Sequence, residues 1–223
     1  HRSEAEFALE LFTVEQVIAQ IAGTAAPRGR PIILADTQDN PGAGGNADTM
    51  SLIKALVASG AQRVLAGVLC DPDAATRAHA AGVDATVELA LGARTGTAGE
   101  TPLHARFRVR ALGDGRFTGT GPFYRGGRFE LGPMALLELG GVRIAVASRK
   151  QQAADQAMFR HLGAEPAECA VLALKSSVHF RADFGPIASR ILVVEAPGPN
   201  IADPARLPFT RLRPGMRTSP GRH

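Results

Sequence analysis

The stretch from Pro31 to Thr49 reads PIILADTQDNPGAGGNADT, and the rest of the chain is interpreted outward from it. Its first five residues, 31–35, form an apolar run of the kind found in strands buried on both faces of a parallel sheet. The next ten residues, 36–45, hold two acidic residues and three glycines. Glycine allows close backbone approach to a ligand, and a helix start offers free N–H groups. We therefore predict a buried strand that ends in a ligand-binding loop.

Further apolar runs predict strands at 63–70, 169–174 and 191–195. Periodic apolar spacing predicts the helices between and before them. These helices are expected over 14–22 with an end at Gly23, from Asp48 or Thr49 to Gly60, from the capping Asp71 to Gly82, over 152–162, and around 183–189. Strands that alternate with short helices are typical of an α/β fold, with parallel-sheet layers and helices on the faces.

Between about 84 and 148 the apolar period changes to two, which is typical of half-buried strands. Turns are predicted at 113–115 and 125–128, and strands at 129–139 and 142–147. We interpret this region as an antiparallel β-rich insertion or extension. Residues from about 199 to 223 are rich in Pro and Arg and are expected to form an extended tail. We expect a single domain over 1–223.

The composition argues against several functional classes. The net charge is +4, but the chain has no Trp and one Tyr, so it lacks the aromatic platforms of many nucleic-acid-binding proteins. No apolar run is long enough to span a membrane. Two cysteines without CxxC spacing are expected to be free thiols in a cytoplasmic protein. The six scattered histidines show no metal-ligand spacing, and GxGxxG, P-loop and GxSxG motifs are absent.

Polar side chains follow the predicted strands 31–35, 63–70 and 169–174, and Ala196-Pro197-Gly198 follows the strand 191–195. In open α/β sheets, ligands bind beyond the carboxyl ends of parallel strands. If the strands are parallel, one edge of the sheet collects these candidate site residues: Asp36, Asp39, Asn40, Asp71, Lys175, His179 and Arg181.

Each candidate also has a purely structural interpretation. Asp36 could cap a turn, and Asp39 and Asn40 could bond their own backbone. Lys175 could be solvated, or it could meet a carboxylate or anion, since it lies one step beyond a buried strand. His179 could be a structural histidine bonded to backbone. The residues alone leave these alternatives open.

The segment Ala35-Asp36-Thr37-Gln38-Asp39-Asn40-Pro41-Gly42-Ala43-Gly44-Gly45 resembles the loop ADTxDNPGGG of the MlrC-like proteins, a family of metallopeptidase-like hydrolases. Three further stretches agree with that family in order and spacing: Asp71-Pro72, Lys175-Ser176 with His179-Phe180-Arg181-Ala182, and Ala196-Pro197-Gly198. The resemblance extends from about Glu6 to Arg213.

The resemblance implies that this chain is a C-terminal domain. In the family, zinc ligands lie in an N-terminal domain, so zinc is expected in the full-length protein and none is expected to be bound by this chain. A chain that starts at His1 rather than Met agrees with a piece of a longer polypeptide. The resemblance makes Asp39 and Asn40 the catalytic candidates. The substrate-binding candidates are Asp36, Gly42, Gly44, Gly45, Lys175, His179 and Arg181.

The favoured hypothesis is therefore that this chain is part of a zinc-dependent amide or peptide hydrolase. The chain would complete a cleft for a small peptide or amide, and it would be inactive alone. Its partner would be the N-terminal domain. Two other hypotheses remain: a module that binds a small anion or carboxylate, and a domain that mediates homo-oligomer contacts.

Overall fold

The computed structural model describes residues 8–22 and 29–220. The predicted helix end at Gly23 and the last three residues of the tail lie outside the described residues. The helices are α1 (Val14–Ala22), α2 (Ser51–Ala58), α3 (Pro72–Ala81), α4 (Ala157–Arg160) and α5 (Arg181–Phe184). The strands are β1 (Leu11–Phe12), β2 (Ile32–Asp36), β3 (Val64–Cys70), β4 (Thr86–Leu91), β5 (Leu103–Gly113), β6 (Arg116–Thr118), β7 (Arg128–Glu130), β8 (Met134–Leu139), β9 (Val142–Ala147), β10 (Val171–Leu174) and β11 (Arg190–Val194).

One large sheet organises the described residues, with nine strands in the order β1-β11-β2-β10-β3-β9-β8-β5-β4. The strands from β1 to β9 in that order pair in parallel. The remaining pairs, from β9 to β4, are antiparallel. Strands β6 and β7 form a separate antiparallel pair. The α/β prediction is confirmed, and the β-rich region extends the same sheet at one side.

Both faces of the parallel part are covered by apolar side chains. Along β2, Ile32 and Leu34 face the layer that contains α1, α2 and α3. Ile33 and Ala35 face the opposite layer, to which α4 and α5 contribute. Because both faces are buried, these strands are continuously apolar rather than alternating. Polar residues are therefore confined to the strand ends, where a site can form.

Two strand predictions in the β-rich region were wrong in detail. The predicted strand 129–139 is divided between β7 and β8, because Gly132 adopts φ +67° and Pro133 has no N–H to donate to a ladder. The turn at 113–115 does not close a hairpin, since β5 belongs to the large sheet and β6 to the small one.

Two helix predictions were also wrong in detail. Of the predicted helix 152–162, only Ala157–Arg160 is α-helical. The segment before it makes long-range contacts instead: Ala153 N–H donates to Lys175 O, and Gln156 N–H donates to the Asp183 carboxylate. Neither Asp48 nor Thr49 caps α2.

Across residues 8–22 and 29–220, no helix is long and apolar enough to span a membrane.

Candidate functional site

The carboxyl ends of β2 and β10 lie side by side in the middle of the parallel part of the sheet. The two strands are parallel neighbours, and Leu174 lies beside Ala35 in their register. The next residues along each strand, Asp36 and Lys175, therefore lie side by side. Both are almost completely buried. Of the two alternatives left open for Lys175, solvation or contact with a carboxylate or anion, the geometry shows contact with carboxylates.

The Lys175 ammonium contacts two carboxylates and one threonine. Its Nζ lies 2.8 Å from Asp36 Oδ2 and 2.9 Å from Asp39 Oδ2. It also donates to the carbonyl oxygen and the hydroxyl of Thr49, both at 2.6 Å. We call Asp36, Asp39, Thr49 and Lys175 the lysine cluster. A charged group this deeply buried is tolerated only when it is paired and hydrogen-bonded in this way.

The lysine cluster shifts the pKa values of its members in different directions. Burial raises the pKa of the Asp36 carboxyl, and the nearby Lys175 charge offsets only part of that effect. Burial also acts to raise the pKa of Asp39, but the Lys175 charge and the Thr49 hydrogen bonds hold it below its usual range. Burial acts to lower the pKa of Lys175, and the two carboxylates outweigh it and raise the value. Asp36, whose Oδ1 has no hydrogen-bond partner in the described part of the chain, is therefore the carboxyl that takes up a proton first.

Asp39 organises the loop that follows β2. Its Oδ1 accepts the N–H groups of Asn46 and Ala47, at 3.0 and 2.8 Å. Its Oδ2 accepts the N–H and the hydroxyl of Thr49, at 2.8 and 2.9 Å. The catalytic candidate Asp39 is thus fully buried, with both oxygens bonded within the protein.

Asn40 fixes the other side of the same loop. Its Oδ1 accepts the Gly42 N–H at 3.0 Å and so caps a short 3₁₀ turn, Pro41–Ala43. Its Nδ2 donates to Ser177 Oγ at 3.1 Å, which ties the loop to the segment after β10. Asn40 is buried, yet it lies directly beside the exposed residues 42–44. Of the two catalytic candidates, Asn40 is the one closer along the chain to these exposed residues.

The three glycines of the loop occupy different environments. A Cβ on Gly42 would overlap the Gln152 side-chain oxygen, and a Cβ on Gly45 would overlap the backbone of Asn40. Gly44 needs glycine for its backbone, since it ends the 3₁₀ turn at φ +94°. Glycine therefore allows close packing at positions 42 and 45, and a left-handed backbone at position 44.

His179 lies at the exposed rim of this loop. Its Nδ1 is 3.0 Å from the Gln152 amide nitrogen, and Gln152 in turn packs against Gly42. The ring stacks on Phe123 with centroids 4.2 Å apart. Arg181 is also exposed, and its guanidinium lies 5.5 Å from the ring centroid of Phe180. Among the described residues, neither Arg181 nor His179 forms a hydrogen bond or ion pair with the lysine cluster.

Asp71 follows β3 but has a structural role. Its Oδ1 accepts the Ala74 N–H and caps α3, as predicted. Its Oδ2 accepts the Gly92 N–H and contacts Arg94 at 3.3 Å. The carboxylate therefore joins α3 to the loop after β4.

Several residues of the site were not singled out from the sequence. They are Glu100, Phe123, Gln152 and Ser177, and Thr49 was predicted only as a possible helix cap. Glu100 accepts the N–H groups of Met50 and Ser51 and so caps α2 from a distant loop. Ser177 lies within the stretch that carries the family resemblance and could have been found there. Glu100, Phe123 and Gln152 come from distant segments, and no local pattern marks them.

The donor set of this edge does not fit a metal ion. The two carboxylates that face each other already hold an ammonium, which would repel a cation. Within the described residues, no group of three His, Cys, Asp or Glu side chains could hold a metal. Both cysteines are free thiols.

Comparison with known proteins identifies the family of this chain. The family described as MlrC C-terminus matches residues 34–211, which include every candidate site residue. The chain belongs to this family. The resemblance inferred from the loop and the Lys175 stretch is therefore confirmed.

Two relatives show how much of a longer protein the family accounts for. Microcystinase C from a Sphingomonas species is 31% identical over 176 residues, which is 79% of this chain and 34% of that protein. A crystal structure of a candidate metallopeptidase from Mesorhizobium sp. BNC1 has a TM-score of 0.79 and 26% identity. The match covers 96% of this chain and 42% of that one. The chain thus spans less than half the length of either relative.

Proposed function

We propose that this chain is the C-terminal domain of a metal-dependent amide or peptide hydrolase, and that its carboxyl edge forms one wall of the substrate cleft. The observation that carries the proposal is the lysine cluster, which fixes a Gly-rich loop at the edge where open α/β sheets bind ligands. Microcystinase C and the Mesorhizobium protein support the assignment to hydrolases.

In this proposal the metal, expected to be zinc, is held by residues of an N-terminal part of the protein. Zinc would supply a Lewis acid and an activated water for hydrolysis. The residues of this chain would bind and orient a small peptide or amide. We expect one domain over 1–223, in a cytoplasmic protein whose thiols stay reduced.

The roles of the two catalytic candidates differ in the proposal. Asn40 would act at the substrate, because its amide could hydrogen-bond a carbonyl if its bond to Ser177 opened. Asp39 would act by holding the loop in place, because its oxygens are all engaged. Gly42, Gly44, His179 and Arg181 would line the exposed part of the cleft.

The contacts do not favour the alternative of an anion-binding module. The backbone N–H groups of residues 43–45 donate to the carbonyl oxygens of Asn40 and Pro41. Those of residues 46, 47 and 49 donate to the Asp39 carboxylate, and those of residues 50 and 51 donate to the Glu100 carboxylate. The carboxylates of Asp39 and Glu100 thus take the place that an external anion would occupy.

The test compares the 223-residue chain with the longest polypeptide that its reading frame encodes. Both are assayed with a panel of acylated dipeptide amides, with and without added zinc. We expect hydrolysis only by a longer polypeptide, and we expect a chelator to abolish it. Hydrolysis by the 223-residue chain alone would contradict the proposal.

A further inference from the structure

A row of five rings leads from the small β6–β7 sheet to the rim of the candidate site. The rings are, in order, Phe117, Phe129, Tyr124, Phe123 and His179. Neighbouring centroids are 5.0, 5.0, 4.6 and 4.2 Å apart. The three spacings among the Phe and Tyr rings are those of favourable stacked and edge-to-face pairs, and His179 lies slightly closer to its neighbour. The row ends at the surface, where Phe123 remains 45% exposed.

The loop that carries Phe123 is held firmly in place. The Asp155 carboxylate accepts the Gly121 N–H at 2.8 Å. The Tyr124 hydroxyl accepts a hydrogen bond of 2.7 Å from the Gln151 side chain. The loop ends are joined by the bond from Gly119 N–H to Gly127 O. The exposed Phe123 ring is therefore carried by a loop that hydrogen bonds hold in a defined conformation.

The exposed ring pair lies next to the Gly-rich loop. Phe123 stacks on His179 at an interplanar angle of 19°. His179 is bonded through Nδ1 to Gln152, which packs against Gly42. Among the described residues, no partner of His179 Nε2 is found. A ring face and a free imidazole nitrogen thus lie together at the rim.

We propose that Phe123 and His179 form a subsite that binds an aromatic side chain of the substrate. The inference rests on the proposed function and adds a substrate class to it. The Phe123 ring supplies a stacking surface, and His179 Nε2 can bond a polar atom next to that side chain. Phe123 is a specificity-determining residue in this view.

A protein-sized partner fits the same surface less well. Apart from Phe123, the large exposed apolar side chain in this stretch of the edge is Val178. Residues 125–128 beside Phe123 are exposed Arg and Gly. A stable interface needs a larger apolar core than two side chains provide.

The test uses a reporter that the chain already contains. Tyr124 is the only Tyr of a chain without Trp, and its ring contacts Phe123. Its fluorescence is followed while the 223-residue chain is titrated with N-acetyl-phenylalanine amide. A parallel titration uses N-acetyl-cyclohexylalanine amide, which has a ring of similar size without π electrons.

We expect a saturable change with the aromatic probe and tighter binding of it than of the saturated one. Phe123→Ala should weaken binding of the aromatic probe about fivefold, as expected for one lost ring stack. Phe209→Ala is the matched control, since Phe209 is 50% exposed in the C-terminal segment. It should leave the affinity unchanged. The His179 ring protons should shift upfield in NMR spectra as the aromatic probe binds.

Three results would overturn the inference: no saturable change, equal affinity for the two probes, or no effect of Phe123→Ala. In an active longer polypeptide, Phe123→Ala should also raise KM for substrates with an aromatic side chain more than for aliphatic ones. An equal change in KM for the two kinds of substrate would overturn the inference. Because the probe titration needs neither metal nor turnover, its result is independent of whether the proposed hydrolysis is found.

Discussion

Lys175 joins the end of β2 to the loop before α2, because its ammonium contacts Asp36, Asp39 and Thr49 at once. Such a buried group stabilises the fold only as long as every partner is present, since a lone buried charge is strongly unfavourable. The arrangement therefore makes the loop geometry depend on a single side chain.

Lys175→Met should lower the free energy of unfolding by about 3–5 kcal/mol, because it leaves two buried carboxylates without their cation. Chemical denaturation at neutral pH measures the change. Lys150→Met is the matched control, since Lys150 is exposed and, among the described residues, donates to Gly45 O alone, at 3.2 Å. Its effect should be below about 1 kcal/mol. Equal effects of the two substitutions would refute the role given to the lysine cluster.

Asp39 and Asp36 should affect stability with opposite dependence on pH. The lowered pKa of Asp39 means that its contribution is complete above the unfolded value of about 4 and is lost as pH falls through the folded value. The raised pKa of Asp36 means that its contribution is complete below about 4 and is lost as pH rises through the folded value.

Urea denaturation of the wild type, Asp39→Asn and Asp36→Asn from about pH 3 to 8 tests this difference. The stability gap between wild type and Asp39→Asn should widen as pH rises. The gap for Asp36→Asn should narrow over the same range. Gaps that change in the same direction would show that the two carboxyls do not differ as the structure indicates.

The loop before α2 shows which features of an element a sequence can predict. Buried strands followed by polar residues were enough to place Asp36 and Lys175 at one edge, because parallel strands end together. The cap of α2 was predicted at Asp48 or Thr49, and it comes from Glu100 instead. Asp48 bonds to Thr95 and Thr49 to Asp39, so tertiary contacts took both local caps.

Glu100→Ala should lower the free energy of unfolding by about 1–2 kcal/mol, because two N–H groups at the start of α2 lose their acceptor. Glu100→Gln should have a smaller effect, since an amide oxygen still accepts but carries no charge. Hydrogen exchange of the Met50 and Ser51 amides should accelerate in the alanine variant. Unchanged exchange at these two amides would mean that the contact does not cap the helix.

Gly42→Ala should disturb His179, because the new methyl group would displace the Gln152 side-chain oxygen. Gly44→Ala provides the comparison, since a Cβ there meets no atom within 4 Å and adds only backbone strain at φ +94°. NMR signals of the His179 ring should move in the first variant and stay in place in the second. If both variants left the ring unchanged, Gln152 would not connect the loop to the rim.

The buried polar residues of the candidate site lie at the carboxyl edge of an apolar parallel sheet, and this placement was predictable from the strand pattern. The row of rings at the rim was not, because Phe123 and His179 are 56 positions apart along the chain and only the folded sheet brings them together. The chain covers 34% of Microcystinase C and 42% of the Mesorhizobium protein. The central claim is that this chain binds and orients the substrate, whereas an N-terminal part of the protein holds the metal.

Bound-metal analysis together with intact mass tests that claim most directly. The 223-residue chain and the longest polypeptide of its reading frame would each be purified, equilibrated with zinc and dialysed. The account predicts no stoichiometric zinc in the 223-residue chain and stoichiometric zinc in a longer polypeptide. Stoichiometric zinc in the 223-residue chain would contradict it.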